Sequence, residues 1–384
     1  MPPKILRLTI LGAIVIFITY FTISSLNGPY SSHRTESNSA KLQFDRELSQ
    51  NPDFKTQGIN FQPTHKFITD PSKTNIHEQL SNAHPYDPQS NFPNLIWQTW
   101  KVGIDHESFP GRYKRYSKSW DDKNPQHQHH VITDEQCDIM IEELYKDVPD
   151  VARAYRIMPK SILKADFFRY LILFARGGVY TDIDTVGLKS IDKWVSASDV
   201  ILGKPNYAGL VVGIEADPDR PDWAEWYARR IQFCQWTIQS KRGHPMLREL
   251  IAKITDITLT RDKRGELERV LGKDEGGDIM NWTGPGIFTD TVFDILQSPE
   301  VYANKKHRQT IVDWKVFTGM EQPIVIDDVL VLPITSFSPD VNQMGAKSSD
   351  DEMAYAKHMF SGSWKDDNSK KENKPRKKSS EHQP

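Results

Sequence analysis

Hydrophobic positions are packed most densely between Ser161 and Asp184. Ile162, Leu163, Ala165, Phe167, Phe168, Leu171, Ile172 and Phe174 leave almost no polar face, so the spacing predicts a helix buried on most sides. Asp166 and Arg169 interrupt the apolar surface; three apart, they share a face and can pair. Gly177-Gly178 ends the helix, because glycine accepts the left-handed backbone of a helix cap. A strand is expected next. Its period of two sets Tyr180, Asp182 and Asp184 on one side and Val179, Thr181 and Ile183 on the other.

The rest of the pattern divides the chain. Residues 1–7 carry Lys4 and Arg7, and an apolar run, Leu8 to Leu26, follows. That run is near the length that crosses a bilayer. A cleaved signal peptide is the rival reading, but no Ala-x-Ala-like site follows Phe21. Basic residues on the N-terminal side predict a cytosolic tail and a single-pass signal anchor. Residues 27–91 are polar and aperiodic and read as a stem, with a short helix near 41–48. The folded domain is expected over 92–365. Residues 366–384, rich in lysine and without apolar periodicity, read as a disordered tail.

Within the domain, Leu95 to Trp100 reads as a buried strand and Gly111–Trp120 as a helix. His129 to Ile132 is a strand, and Thr133 or Asp134 caps a helix through Lys146. Asp150 caps another helix, ending near Met158. Short elements are expected at 188–194 (helix) and at 199–203 and 210–215 (strands, the second central). Trp223–Ser240 reads as a helix with Trp226, Tyr227, Ile231, Cys234 and Ile238 on its apolar side. His244-Pro245 opens a further helix, and Arg261–Gly277 is an exposed excursion. Asn281 to Gly286 leads into a helix through Leu296, and Val329–Leu332 is the last clear strand.

Composition changes this picture little. At 384 residues, with 38% hydrophobic and 10% aromatic content, the chain can bury a sizeable core. A formal net charge of -2 provides no basic field for nucleic acid. Cys137 and Cys234 are the only cysteines, too few for a disulfide scaffold, whether they pair or stay as two buried thiols.

Asp182 and Asp184 carry the chemistry. Two carboxylates together at a buried strand end repel and lose hydration, so they call for a cation. Oxygen ligands favour a hard divalent ion, Mn²⁺ or Mg²⁺, with positions left for phosphate oxygens. His127, His129 and His130 do not form a second metal site, since strand neighbours point to opposite faces. Gly284-Pro285-Gly286 makes a tight loop at a helix N-terminus, where free N–H groups can meet an anion or sugar hydroxyls. Asn281-Trp282-Thr283 also fits an N-glycosylation acceptor.

Asp166-x-x-Arg169-Tyr170 followed by Gly177-Gly178-x-Tyr180-x-Asp182-x-Asp184 resembles the core of glycosyltransferases with a DXD motif. With Asn281 to Gly286, Leu332 to Pro339 and His358 to Trp364, the chain is similar to the fungal initiation-specific α-1,6-mannosyltransferases of the Golgi, in glycosyltransferase family 32. The likeness runs from about Asn94 to Lys365. It implies an α/β fold of the GT-A type, a Rossmann-like mixed sheet flanked by helices, behind the membrane anchor and stem.

The resemblance also implies roles. Asp184 is the direct metal ligand, Asp182 contacts the ribose or the metal through water, and His358 is the third ligand of a Mn²⁺ site, with Mg²⁺ the alternative. Asp166 and Arg169 hold the donor sugar's hydroxyls. Trp97 stacks on guanine or is a core residue, and Thr99 reaches the ribose or phosphates. Ser363 and Trp364 close over the phosphates, with Lys164 a secondary phosphate contact. Asp278, Asn281 and Gly284 face the acceptor. The implied reaction moves mannose from GDP-mannose, with retention, in α-1,6 linkage to the core of a protein-linked high-mannose N-glycan, starting the outer chain. No nucleophile is identifiable, and same-face attack assisted by the leaving phosphate is expected. The implied location is the early Golgi membrane, single-pass with a lumenal catalytic domain, beside other mannosyltransferases. Other readings are a mannosyltransferase or mannan-polymerase subunit of different linkage, a glycan-binding scaffold subunit and a nucleotide-sugar hydrolase.

Overall fold

In the computed structural model, the residues described are 74–270, 275–297 and 312–361. The expected anchor at 8–26, the stem up to residue 73, the tail, Ser363 and Trp364 lie outside them. Among the described residues no helix is long and apolar enough to cross a membrane.

The elements run α1 (Ile76–Ala83), β1 (Leu95–Trp100), α2 (Gly111–Lys123), β2 (Gln128–Thr133), α3 (Asp134–Leu144), α4 (Pro149–Ile157), α5 (Ser161–Arg176), β3 (Gly178–Thr181) and β4 (Thr185–Gly187). Then come β5 (Val200–Ile201), β6 (Lys204–Pro205), β7 (Leu210–Ala216), β8 (Gln232–Phe233), β9 (Thr237–Ser240) and α6 (Pro245–Lys263). The chain continues through α7 (Glu275–Trp282), α8 (Pro285–Gln297), β10 (Ile324–Ile326), β11 (Val329–Leu332) and β12 (Ala356–His358).

Eight strands form one mixed sheet in the order β10-β11-β7-β9-β3-β1-β2, with β8 paired to β7. β1 runs parallel to β2 and β3, and β7 parallel to β11, while β9 is antiparallel to both β3 and β7. The C-terminal ends of β1, β3 and β7 therefore share one edge, where open α/β sheets bind their ligands. Ile96, Val179, Val211, Trp236, Leu330 and Phe337 belong to one buried cluster on the sheet. Helix α5 packs on α6 and α4.

The helix at 161–176 is as buried as its sequence implies: Leu163 and every residue from Phe167 to Ala175 apart from Arg169 are at most 1% exposed, and Asp166 and Arg169 are buried with them. Gly177 caps it with φ 71° and Gly178 follows at φ 94°. A Cβ on Gly178 would lie 2.5 Å from the Leu95 carbonyl oxygen, so no side chain fits where β3 meets β1. Thr133 forms the capping box of α3 with Gln136, as the cap pattern suggests.

Five expectations need correction. Trp223–Ser240 is not a helix; it holds a 3-10 turn at Trp223–Glu225 and then β8 and β9. The strand after Gly178 stops at Thr181, so Asp182 and Asp184 lie in the turn into β4. Val148, with Pro149 behind it, begins α4 rather than an Asp150 cap. The strand at 329–332 is not the last, because β12 pairs antiparallel with β4, His358 opposite Thr185. Residues 76–83, expected in the stem, are helical, and Leu80 is fully buried. Cys137 and Cys234 are separate buried thiols.

Candidate active site

The turn after β3 brings the DXD pair to one point. Thr185 N–H donates to the Asp182 carbonyl at 3.1 Å, folding the chain back on itself. Asp182 is held further by its own N–H on the Trp236 carbonyl (2.9 Å) and by Gln98 Nε2 on its carbonyl (3.1 Å). Asp184 receives the Met359 N–H on its carbonyl and the Ser361 N–H on Oδ2, each at 2.9 Å. His358 Nε2 stands 3.0 Å from Asp184 Oδ1. Ligand atoms of Asp182, Asp184 and His358 all lie within 4.8 Å of one another. Two oxygens and an imidazole nitrogen fit a divalent ion such as Mn²⁺. The three residues meet because β12, 171 positions beyond β4 in the chain, returns to pair with it.

Their electrostatics agree with that use. Burial holds the Asp182 carboxyl above its usual range although Arg169 opposes this. For Asp184, burial pushes the carboxyl up, but the hydrogen bond and charge of His358 and the Ser361 N–H together outweigh it, and the carboxyl lies below its usual range. His358 is raised: burial alone would lower it, but the bond to Asp184 and the charges of Asp184, Asp182 and Glu215 together prevail.

A second charged pair adjoins the first. Arg169 Nη2 lies 2.9 Å from Asp166 Oδ1 and 3.3 Å from Asp182 Oδ1, so one buried guanidinium bridges both carboxylates. Its Nε and Nη1 have no hydrogen-bond partner among the described residues. Those buried donors need an acceptor, and Arg169 lines the cleft with Thr99, Tyr180, Asp182, Asp184 and His358. The Tyr180 hydroxyl donates to Asp182 Oδ1 at 2.9 Å and lies 3.3 Å from Thr99 Oγ1. Asp166 sits behind Arg169, its oxygens receiving Thr283 Oγ1 (3.1 Å) and Gln235 Nε2 (3.4 Å).

Other candidates fall elsewhere. Trp97 is fully buried, donates Nε1 to the Gly177 carbonyl at 2.9 Å and stacks on His130 with ring centres 4.8 Å apart. No face remains for a guanine ring, so Trp97 is a core residue. Lys164 reaches Asp138 at 3.0 Å. Asp278 pairs with both nitrogens of the Arg261 fork. Asn281 is exposed at the end of α7. The Thr283 and Gly284 N–H groups both donate to the Ile279 carbonyl at 3.0 Å, so neither is free for an anion. None of Asp278, Asn281 and Gly284 lines the cleft with the DXD pair, and the loop braces Asp166 through Thr283. His129 is spent on Asp121 and Gln98. Among the described residues the Asp182, Asp184 and His358 group is the one that can hold an ion.

Gln235, Trp236 and Thr283 brace the site and were not anticipated as site residues. A glutamine beside a tryptophan inside the apolar run Phe233 to Ile238 was the available signal.

Comparison with known proteins agrees with this arrangement. The glycosyltransferase sugar-binding region containing a DXD motif matches residues 110–201. The chain is 72% identical to the initiation-specific alpha-1,6-mannosyltransferase of Candida albicans over 95% of each chain. It is 42% identical to the protein of that name from Saccharomyces cerevisiae, over 76% of this chain and 82% of that one. The Schizosaccharomyces pombe protein of that name is 45% identical over 74% of this chain and 66% of its own.

Proposed function

The chain belongs to the family of initiation-specific α-1,6-mannosyltransferases, and from that premise we propose that it moves mannose from GDP-mannose to a protein-linked high-mannose N-glycan and so starts an outer chain. It is a glycosyltransferase, and its named relatives transfer mannose in α-1,6 linkage. The observation that carries the reading is the meeting of Asp182, Asp184 and His358 beside the Asp166–Arg169 pair, at the C-terminal edge of the sheet.

Asp182, Asp184 and His358 are the residues that would hold the ion, and Mn²⁺ suits their mixed oxygen and nitrogen set, with Mg²⁺ second. Such an ion, when bound, neutralises the donor's diphosphate and stabilises it as a leaving group. The unspent Arg169 donors meet the hydroxyls of the donor mannose, and Asp166 keeps the guanidinium in that plane. Thr99 and Tyr180 line the approach to the ribose. An α-configured donor and an α-linked product mean retention, assigned here to same-face attack with the leaving phosphate taking the acceptor's proton. The mixed sheet with a DXD turn at its edge supports a GT-A fold. An apolar run behind basic residues supports a single-pass anchor in the early Golgi, with the catalytic domain lumenal.

The test is direct. The protein is incubated with GDP-mannose, Mn²⁺ and a high-mannose oligosaccharide, and the product is weighed by mass spectrometry. One added hexose, released only by an α-1,6-specific mannosidase, is expected. No transfer with free mannose accumulating would establish a hydrolase instead.

A further inference from the structure

Trp236 lies between β8 and β9 and is 4% exposed. It touches both arms of the DXD site. Its carbonyl accepts the Asp182 N–H at 2.9 Å, and its indole stacks on the His358 ring, centres 4.7 Å apart and planes 19° from parallel.

The stack has a specific consequence for His358. Histidines that ligate metals are usually oriented by a hydrogen bond from the second ring nitrogen to a carboxylate or carbonyl. Among the described residues, His358 Nδ1 is buried and has no hydrogen-bond partner. The plane of the imidazole must therefore be set by packing. Two rings are available. Phe360 meets His358 edge-on at 4.4 Å, but it is 58% exposed and weakly anchored itself. Trp236 is anchored on three sides: its Nε1 donates to Glu215 Oε1 at 3.4 Å, Phe337 meets its ring at 6.3 Å, and its backbone belongs to the sheet edge. Glu215 is fixed in turn by Gln232 Nε2 on Oε2 at 2.9 Å.

We propose that Trp236 is a positioning residue of the metal site: its indole face sets the plane of His358 and aims Nε2 at Asp184 and the ion, while Glu215 keys the indole. The proposal rests on the reading of Asp182, Asp184 and His358 as metal ligands. A flat ring at position 236 is the requirement, so phenylalanine serves and an aliphatic residue does not.

Mn²⁺ binding to the whole protein in the presence of GDP, read from the electron paramagnetic resonance of free Mn²⁺, tests it without reference to turnover. Trp236→Leu is expected to weaken Mn²⁺ binding by about 10- to 100-fold, the usual size of the loss when a group that orients a metal ligand is removed. Trp236→Phe stays within about threefold of wild type, and adding Trp236→Leu to His358→Ala costs nothing further, because both act through one ring. Folded Trp236→Leu with wild-type affinity, alongside a weakened His358→Ala, overturns this inference and leaves the metal site standing. Wild-type affinity in His358→Ala removes the metal reading and this inference together. Should Trp236→Leu fail to fold, Trp236→Phe decides: retained affinity supports the stack, and a loss equal to that of His358→Ala overturns it.

Discussion

Thr283 donates its hydroxyl to Asp166 Oδ2 at 3.1 Å, across 117 positions of the chain. The same residue's carbonyl accepts the Tyr170 hydroxyl at 2.9 Å. The loop between α7 and α8 is thereby locked to the helix that carries Asp166 and Arg169. Its motif, Asn281 to Gly286, braces the helix that carries Asp166 and Arg169.

This bond gives a pH prediction. Burial pushes the Asp166 carboxyl up to about 6, although Arg169 and the Thr283 and Gln235 hydrogen bonds pull it down. A folded value above the ordinary one means that folding takes up a proton between those two values. This group therefore favours the folded state toward acid, and that contribution is lost as pH rises through about 6. Activity runs the other way, because the carboxylate form orients Arg169. The kcat/KM profile should show an acid limb near this value. Thr283→Val removes a donor to the carboxylate and should move that limb to higher pH. At neutral pH it should cost about tenfold, equivalent to ~1.5 kcal/mol for a hydrogen bond to a charged group.

Trp97 is tested by its burial. Trp97→Ala should cost about 3–5 kcal/mol of stability, as large aromatic deletions in cores do. Trp97→Phe keeps most of the packing, loses the bond to the Gly177 carbonyl and should bind GDP as wild type does. A folded Trp97→Phe with GDP affinity reduced tenfold would return this indole to the donor site.

The difference between these two residues shows what was legible. Asp166 and Arg169 were readable because charges three apart in an otherwise apolar helix must face each other. Trp97 was ambiguous because its partner, His130, comes from the neighbouring strand, and cross-strand register is not written in either segment. The stretch from Trp223 to Ser240 misled for a related reason. Ile231, Phe233, Cys234, Trp236 and Ile238 are all buried. Strands covered on both faces lose their alternation and look like buried helix. That misreading also hid Gln235 and Trp236, whose contacts with Asp166, Asp182 and His358 exist only because β9 lies beside β3. Asp182 and Asp184 were correctly expected together, but a turn unites them where a strand period was anticipated.

The N-terminal edge of the domain lies earlier than residue 92. Leu80 is fully buried, His77 meets Glu249 at 3.0 Å, and the Tyr86 hydroxyl donates to Asp328 at 2.6 Å. Leu80→Ala should destabilise by about 2–5 kcal/mol. A fragment beginning at Pro85 should melt well below one beginning at Thr74, and equal melting temperatures would move the boundary back toward 92.

Asp184→Asn separates stability from catalysis. The substitution keeps shape while removing the charge that faces His358 Nε2 and, in the proposed site, the ion. A neutral amide is a poorer ligand for a hard cation. Two effects on folding oppose each other. Against burial, which raises it, the bonds from His358 and Ser361 and the charge of His358 hold this carboxyl below its ordinary range, so ionised Asp184 contributes stability that is present at neutral pH and lost as pH falls through its lowered folded value. Against that, the variant relieves the repulsion between Asp184 and Asp182. The melting temperature should therefore change little. Transfer should fall by about 10²–10³-fold, the scale seen when a preorganised charge-stabilising group is lost. Raised Mn²⁺ should recover only part of it. Asp192→Asn, in the turn at Ile191–Lys193 outside the cleft, is the control and should be near wild type. The measurements are thermal unfolding, Mn²⁺ titration and mannose transfer on the same preparations. Wild-type turnover by folded Asp184→Asn at limiting Mn²⁺ would remove Asp184 from the metal site, and the assignment of Asp182 and His358 would fall with it.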